Sequence, residues 1–254
     1  MKSSKKWVVL FGGAGREGCL QRLVAESVNL QAIIIPAKRS TKLDRSLAKL
    51  GPLPCEIIEA KRSDLAVVLA RFMNSAMLSI GFPYLIDAKS MSLFDTAINV
   101  HPTLLPKYRG PTSGAYILIN NESQTGSTVH FMTQQMDRGD ILCQSTVQLS
   151  PFDTIRSMQR KVYAEEPNLL IRALEALESD ISAWPQNESE ASEYPNKRKP
   201  QDSELDPDMK LLDLIDHIRA CDIDEYPAFF MYHGQKVCIK LWRPEKDVSA
   251  ADEL

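Results

Sequence analysis

Three polar side chains near the middle of the chain could together form a site that stabilises an oxyanion and moves a proton. Asn99 and His101 lie two residues apart at the end of the run Thr96–Val100, so on a strand they point to the same side. Asp137 lies in a polar loop after a second β-rich run, 127–132. The amide can donate to a developing oxyanion, the imidazole can move a proton, and the carboxylate can orient and charge-balance the imidazole. Taken singly, these residues also fit a strand end with an ordinary histidine and a turn.

The whole string around these residues is more specific. The chain resembles the folate-dependent formyltransferases at Asn99–Pro102, Leu104–Gly110 and Met136–Asp140, and the resemblance covers roughly residues 7–178. Thr103 replaces the usual serine of that signature and keeps its hydroxyl. The resemblance implies acyl transfer from N10-formyltetrahydrofolate to a primary amine, with Asn99, His101 and Asp137 as the catalytic residues.

Apolar runs alternate with helical patterns along the first two thirds of the chain. This alternation predicts an α/β fold with a Rossmann-like, mostly parallel sheet and helices on both faces. The predicted strands are 7–11, 32–35, 55–58, 76–81, 96–100, 127–132 and 141–149, the last two paired antiparallel, and the predicted helices are 19–28, 63–73 and a long one capped by Asp153-Thr154. Pro167 is expected to kink or interrupt the long helix.

A change of composition divides the chain after the long helix. We expect an N-terminal catalytic domain over residues 1–180, a polar, proline-bounded linker over 181–200, and a small C-terminal region over 201–254. The last region is predicted to be an α+β appendage with one helix, 209–221, and a closing β-hairpin around His233-Gly234. Because so small a unit is marginal alone, it should pack on the first domain or on a second subunit.

Composition narrows the class of protein. With 44% hydrophobic and 25% charged residues in 254, the chain reads as a globular protein, and no apolar run is long enough to span a membrane. The five cysteines are widely spread without a Cys-x-x-Cys motif, which favours the reducing cytoplasm. No cluster has metal-ligand spacing, so no metal is expected.

A glycine-rich turn follows the first strand. Gly13-x-Gly15-x-x-Gly18 is the pattern of a dinucleotide-binding turn, in which backbone N–H groups approach a phosphate. The next strand runs into Pro36-Ala37-Lys38-Arg39 with no acidic residue for a ribose hydroxyl, which disfavours NAD. An NADP-dependent oxidoreductase, another phosphorylated ligand and a simple tight turn all remain open.

The resemblance also implies where the folate lies. The loop after the fourth strand would offer backbone groups and apolar walls to the pterin, and the loop that carries Asp137 would close the other side. The implied folate-binding residues are Phe82, Tyr84, Leu85, Gln134 and Met136.

The C-terminal region bears on the acceptor. From Lys199 onward seven Lys or Arg stand against thirteen Asp or Glu, a net charge of −6, whereas binding of nucleic acid needs a basic surface. Arg198–Asp202 and Tyr226–Phe230 are similar to the tails of sugar N-formyltransferases. This similarity implies a nucleotide-linked amino sugar as acceptor and a homodimer.

Binding of a nucleotide-sugar requires contacts to its pyrophosphate. The candidate substrate-binding residues are Gly13, Gly15, Arg16, Lys38, Lys107 and Arg109. The alternatives are a methionyl-tRNA formyltransferase, a formyltetrahydrofolate hydrolase, the NADP-dependent oxidoreductase, and a catalytically inactive binding module.

Overall fold

The structure is a computed structural model that describes residues 5–111, 113–179, 182–245, 252 and 254. Its centre is a seven-stranded sheet, whose strands are β1 Trp7–Phe11, β2 Leu30–Pro36, β3 Glu56–Ala60, β4 Ala76–Ile80, β5 Thr96–His101, β6 Gln124–Phe131 and β7 Ile141–Gln148. They are ordered β3-β2-β1-β4-β5-β6-β7. Strands β1 to β5 are parallel, and β6 runs antiparallel to both β5 and β7. The predicted mostly parallel sheet is confirmed.

The helices fill the connections between strands. They are α1 Glu17–Ala25, α2 Thr41–Ala48, α3 Leu65–Leu69, α4 Ala88–Met91, α5 Gly114–Ile119, α6 Ile155–Glu178 and α7 Leu211–Arg219, with 3₁₀ turns at Ala70–Phe72, Glu188–Glu190 and Pro200–Ser203. The sequence reading missed α2, although its start signal is present, since the Ser40 hydroxyl accepts a hydrogen bond from the Leu43 N–H.

Helices cover both faces of the sheet, and successive side chains of β1 point alternately to one face and to the other. Trp7, Val9 and Phe11 belong to one apolar cluster together with residues of α1 and α6. Val8 and Leu10 point the other way, into a second cluster that includes α3. All five side chains are buried, as expected for a central parallel strand.

Helix α6 is not interrupted at Pro167, where the sequence predicts a kink or an interruption. Proline removes one helical hydrogen bond, but the face of α6 that carries Leu169, Leu170 and Ala173 is completely buried in the first cluster. Packing of the helix therefore outweighs the local preference to break it. Among the described residues, no helix combines the length and the apolar character needed to cross a membrane.

The expected linker is packed against the part of the chain that precedes it. Trp184 forms a β-bridge with Ile141, and Glu193 forms one with Arg109. Residues 180 and 181, where the predicted boundary falls, lie outside the described residues. The part of this segment from Trp184 to Tyr194, called the strap below, lies beside the loop that carries Asp137.

The C-terminal region contains α7 and a hairpin made of β8 Phe229–Tyr232 and β9 Gln235–Cys238. Arg219 of α7 joins it to the rest of the chain, because its buried guanidinium donates to the carbonyls of Asp153 and Leu118 and to the Asn121 side chain. The region thus packs on the first domain.

Candidate active site

Pairing of β5 with β6 builds the first half of the site. The strands are antiparallel, with Asn99 directly opposite His130. The Asn99 Nδ2 lies 3.2 Å from His130 Nε2, and His130 Nδ1 lies 2.8 Å from the Phe131 carbonyl oxygen. Since a carbonyl only accepts, Nδ1 carries the proton, and Nε2 accepts from the Asn99 amide. The amide is thereby oriented and has a second N–H that can donate to a substrate oxygen.

Burial keeps His130 in this neutral form. Only 2% of the residue is exposed, and loss of hydration lowers its pKa to about 4, against the opposing effect of Asp137. The sequence reading placed this residue on a strand but gave it no role. The signal that could have found it is a histidine on a β-rich run just before the Asp137 loop, but only the register across β5 and β6 pairs it with Asn99.

His101 is the last residue of β5 and is 6% exposed. Its Nε2 lies 3.0 Å from the Tyr108 carbonyl oxygen, so this nitrogen donates a hydrogen bond. Its Nδ1 lies 3.6 Å from Asp137 Oδ1. The imidazole therefore has one nitrogen fixed to the backbone and one turned to a carboxylate.

Asp137 is held between the two histidines. Its Oδ1 lies 3.6 Å from His101 Nδ1 and 3.7 Å from His130 Nε2, and its Oδ2 accepts a 2.9 Å hydrogen bond from the Gly110 N–H. Burial by itself would raise the pKa of Asp137, but the two imidazoles and the Gly110 N–H bring it below its usual range. Its backbone has φ +57°, which is uncommon outside glycine, so its neighbours must fix this conformation. The structure thus brings together all three residues singled out as catalytic.

The residues expected to line a folate site lie on two loops beside this cluster. Phe82 and Tyr84 are half-buried, pack edge to face with ring centroids 5.3 Å apart, and belong to the second apolar cluster. Leu85 is 65% and Met136 40% exposed, although both side chains are apolar, and Gln134 is exposed. These residues could form an open apolar wall against an aromatic ring system.

The glycine-rich turn is filled by the chain itself. A Cβ on Gly13 would lie 2.7 Å from Arg16 Cδ and 3.1 Å from the Ile80 carbonyl oxygen, so the Arg16 side chain occupies the space over that glycine. Arg16 is 3% exposed and pairs with the fully buried Glu166, at 2.5 Å from Nε and 2.8 Å from Nη2. We therefore leave Arg16 and Gly13 out of the proposed substrate contacts. Gly15 is exposed and keeps the left-handed backbone of a turn, φ +83°.

The other positively charged residues predicted to bind the substrate differ in how deeply they are buried. Lys38 and Lys107 are exposed, and Lys107 Nζ lies 4.0 Å from Glu122. Arg109 is 2% exposed, and its guanidinium binds Gln186 and Glu188 of the strap. Arg109 is therefore engaged within the protein, whereas the two lysines stay accessible to a ligand.

Two features lie away from this cluster. A cavity of about 340 Å³ is lined by Asn121, Pro151 and Phe152 together with residues of the C-terminal region such as Leu212 and Trp242, and none of these belongs to the Asn99–Asp137 cluster. Within the described part of the chain, no group of three or more His, Cys, Asp or Glu residues is arranged to hold a metal ion.

Comparison with known proteins agrees with this geometry. Residues 21–174 match the family model described as formyl transferase, which is more than half of the chain. The chain belongs to the formyl transferase family. The methionyl-tRNA formyltransferase of Desulforamulus reducens is 33% identical over 147 residues, which cover 58% of this chain and 45% of that protein. The chain thus matches somewhat less than half the length of this relative.

Solved structures of formyl transferases share the fold over nearly the whole chain. A 4-N formyltransferase from Francisella tularensis superposes with a TM-score of 0.75 at 23% identity, covering 93% of this chain and 97% of its own. An N-formyltransferase from Helicobacter canadensis, in complex with folinic acid and dTDP-3-aminofucose, has a TM-score of 0.69 at 16% identity, covering 93% and 86%. At these identities the likeness establishes the fold.

Proposed function

We propose that this formyl transferase moves a formyl group from N10-formyltetrahydrofolate to the primary amine of a nucleotide-linked amino sugar. The observation that carries this proposal is the convergence of Asn99, His101 and Asp137. An oriented amide donor, an imidazole and a buried carboxylate at one strand edge are what acyl transfer to an amine requires.

Asn99 is the proposed oxyanion donor. One of its N–H groups is directed to His130 Nε2, which fixes the plane of the amide. The other can donate to the formyl oxygen as negative charge develops there. A donor that is already oriented needs no rearrangement during the reaction, which is why such groups contribute strongly to catalysis.

His101 is the proposed proton carrier. Because its Nε2–H is committed to the Tyr108 carbonyl, Nδ1 is the ring nitrogen that can take the proton of the attacking amine. The positive charge that results on the ring faces Asp137 Oδ1 at 3.6 Å. Asp137, with its lowered pKa, is ionised near neutral pH and stabilises that charge. The imidazole then gives this proton to N10 as the bond between N10 and the formyl carbon breaks, so that tetrahydrofolate leaves and the formyl group stays on the amine.

The co-substrate supplies the formyl group, and the apolar loops fit its ring system. Leu85 and Met136 expose apolar side chains on the two loops, Met136 directly before Asp137, and Phe82 and Tyr84 are half-buried near Leu85 in the chain. We propose that these four residues and Gln134 bind the folate. For the pyrophosphate of the acceptor we propose Lys38 and Lys107. Gly15, the other candidate, already donates its N–H to the Ser46 hydroxyl oxygen at 2.7 Å.

The sugar acceptor is supported by charge and by the extent of the structural likeness. The chain carries a net charge of −6 from Lys199 onward, which opposes binding of a polyanion such as tRNA. The Helicobacter canadensis structure, similar over 93% of this chain, is a complex with an amino sugar linked to dTDP.

A methionyl-tRNA acceptor is the second candidate. It is favoured by the 33% identity to methionyl-tRNA formyltransferases. The matched region covers only 45% of the first of these relatives, and the acidic C-terminal region lacks the surface that tRNA needs.

The test is a panel of acceptors. The protein is mixed with the formyl donor and, separately, with UDP-, dTDP- and GDP-linked amino sugars, with methionyl-tRNA, and with no acceptor, and products are identified by mass spectrometry. One formylated amino sugar, absent when Asn99→Ala replaces the wild type, is the expected result. Formylation of the tRNA alone would select the second candidate, and formate release without acceptor would indicate a hydrolase. Binding of the donor with no product in any arm would contradict formyl transfer.

We also propose a cytoplasmic homodimer. The five cysteines are free thiols, as the reducing cytoplasm keeps them. Among the exposed large apolar side chains of the described C-terminal region, Leu211 at 70%, Leu212 at 78% and Trp242 at 73% are the most exposed, and a second subunit could cover them. Light scattering coupled to size-exclusion chromatography measures the mass, and a monomer at micromolar concentration would contradict the dimer.

A further inference from the structure

The side chain of Gln186 touches the Asp137 loop from the strap. Its Nε2 donates to the carbonyl oxygens of Asp137 and Gly139, each at 2.8 Å. Its Oε1 accepts from Arg109 Nε at 3.1 Å and from Arg109 Nη2 at 2.7 Å. Both ends of the amide are therefore used, and Gln186 connects one loop of the site to the other.

These contacts converge on the catalytic carboxylate from two sides. Gln186 holds the main chain of Asp137, while the Gly110 N–H holds its Oδ2 at 2.9 Å. Gly110 follows Arg109, whose guanidinium fixes Gln186. The result is a closed ring of hydrogen bonds that passes through 109, 110, 137 and 186. Such a ring can keep the left-handed backbone of Asp137 in place.

The strap is itself fixed to the loop that follows His101. The Arg109 N–H donates to the Ser192 carbonyl at 2.9 Å, and the Tyr194 N–H donates to the Arg109 carbonyl at 2.8 Å. A Cβ on Gly110 would lie 2.1 Å from the Tyr194 carbonyl oxygen, so the two segments are in direct contact there. Arg138 adds ion pairs to Glu188 and Glu193. The strap therefore has a fixed place from which Gln186 can act.

We infer that Gln186 is a positioning residue for the reaction: it holds Asp137 at the distance from His101 at which the carboxylate stabilises the charge that develops on the imidazole. This inference rests on the proposed function, since it assigns Gln186 a role through Asp137. Gln186 acts on the main chain of the Asp137 loop, which also carries Gln134 and Met136, proposed to bind the folate, whereas Lys38 and Lys107, proposed for the acceptor, lie elsewhere. Its loss should therefore lower turnover and leave the affinity for the acceptor nearly unchanged.

Gln186→Glu tests this role with the smallest change of shape. A glutamate can still accept from Arg109, but it presents a carboxylate oxygen where the amide now donates to two carbonyl oxygens. The loop should then move away, and a displacement of about 1 Å at a catalytic group costs on the order of 10²-fold in rate. Gln201→Glu is the matched control, because it makes the same change of charge at an exposed residue of the C-terminal region.

The expected result has two parts. For Gln186→Glu, kcat falls on the order of 10²-fold while the KM of the acceptor stays within a few-fold of the wild type, and only the KM of the folate donor rises, because Gln134 and Met136 lie on the loop that moves. Hydrogen–deuterium exchange at 133–140 becomes faster. Gln201→Glu behaves as the wild type in both.

Other outcomes overturn the inference. Wild-type kcat in Gln186→Glu, or an equal loss in both variants, removes the positioning role. If Gln186→Glu has a much lower melting temperature, and if the KM values of both the donor and the acceptor rise as kcat falls, Gln186 has a general structural role instead. If the wild type transfers no formyl group, the proposed function fails, and the exchange measurement alone decides whether Gln186 holds the Asp137 loop.

Discussion

The buried ion pair between Arg16 and Glu166 makes a sharp prediction about stability. Only 3% of Arg16 and none of Glu166 is exposed, and the two side chains share two hydrogen bonds, at 2.5 and 2.8 Å. Burial opposes the charged form of Arg16, but Glu166 outweighs it and raises the arginine pKa. In Arg16→Met the carboxylate keeps only weaker partners, chiefly the Ser127 hydroxyl at 2.8 Å.

Leaving one member of a buried pair without its partner costs about 3–5 kcal/mol. Stabilities of natural domains are about 5–15 kcal/mol, so Arg16→Met should lose a large part of the free energy of unfolding. In Arg16→Met/Glu166→Gln no charge is stranded, and at least half of that loss should be recovered. Urea unfolding with linear extrapolation measures all three proteins, and the buried Trp7 on the central strand serves as the fluorescence probe.

The same double variant separates stability from activity. Arg16 Nη2 also donates to the Val100 carbonyl at 3.0 Å, and Val100 lies between Asn99 and His101 on β5. The double variant lacks this bond, so its kcat should stay below that of the wild type even where folding is restored. Loss of less than about 1 kcal/mol in Arg16→Met, well below the cost of a stranded charge, would refute this reasoning. So would a double variant as unstable as the single one.

Three further outcomes follow from the site. Asn99→Ala should lower kcat by ~10²–10³ and leave the protein folded, as single-turnover kinetics and circular dichroism will test; near-normal turnover would contradict the oxyanion role. Burial lowers the pKa of His130 in the folded protein to about 4, whereas in the unfolded chain it is about 6.5. Between these two pH values the unfolded chain binds one proton more than the folded protein. The free energy of unfolding therefore falls by about 3 kcal/mol in total as the pH falls from about 6.5 to about 4. Urea midpoints across that range should therefore depend less on pH in His130→Gln than in the wild type. Gly110→Ala should destabilise by about 1–3 kcal/mol, because φ is +118° and the new Cβ would meet the Tyr194 carbonyl; an unchanged melting temperature would show that the strap does not press on this residue.

Short-range patterns were enough to predict much of the sheet. Alternation along a strand placed Asn99 and His101 on one side, and the β-rich run before Asp137 led to its loop; these are local properties, with a period of two residues or a turn. The choice of these three residues as catalytic came from the resemblance of the whole string to a family and not from the local patterns, which also fit a strand end and a turn. The glycine pattern was less informative about ligand binding, because the Arg16 side chain fills the space above Gly13 that a phosphate would need.

What the sequence could not supply is pairing over long distances. Arg16 and Arg109 were predicted to bind a phosphate, but each forms an ion pair within the protein. Their partners are far away in the chain: Glu166 lies 150 residues from Arg16, and Glu188 lies 79 residues from Arg109. The role of His130 depends on the register between two antiparallel strands, which the residues themselves do not state. The composition of the strap predicts a linker. The strap has no apolar face that would indicate packing, because its contacts are made by polar side chains.

The β-bridge between Arg109 and Glu193 limits where the chain can be cut into fragments or joined to another protein. A fragment that stops at the end of α6 would contain Asn99, His101, Asp137 and Gly110 and still lack Gln186, which holds the main chain of Asp137 and Gly139. Exchange of C-terminal modules between formyl transferases, as a route to new acceptors, should therefore join the two parents after Tyr194. A junction placed some fifteen residues earlier, at the apparent boundary by composition, would combine one parent's aspartate with the other parent's support for it.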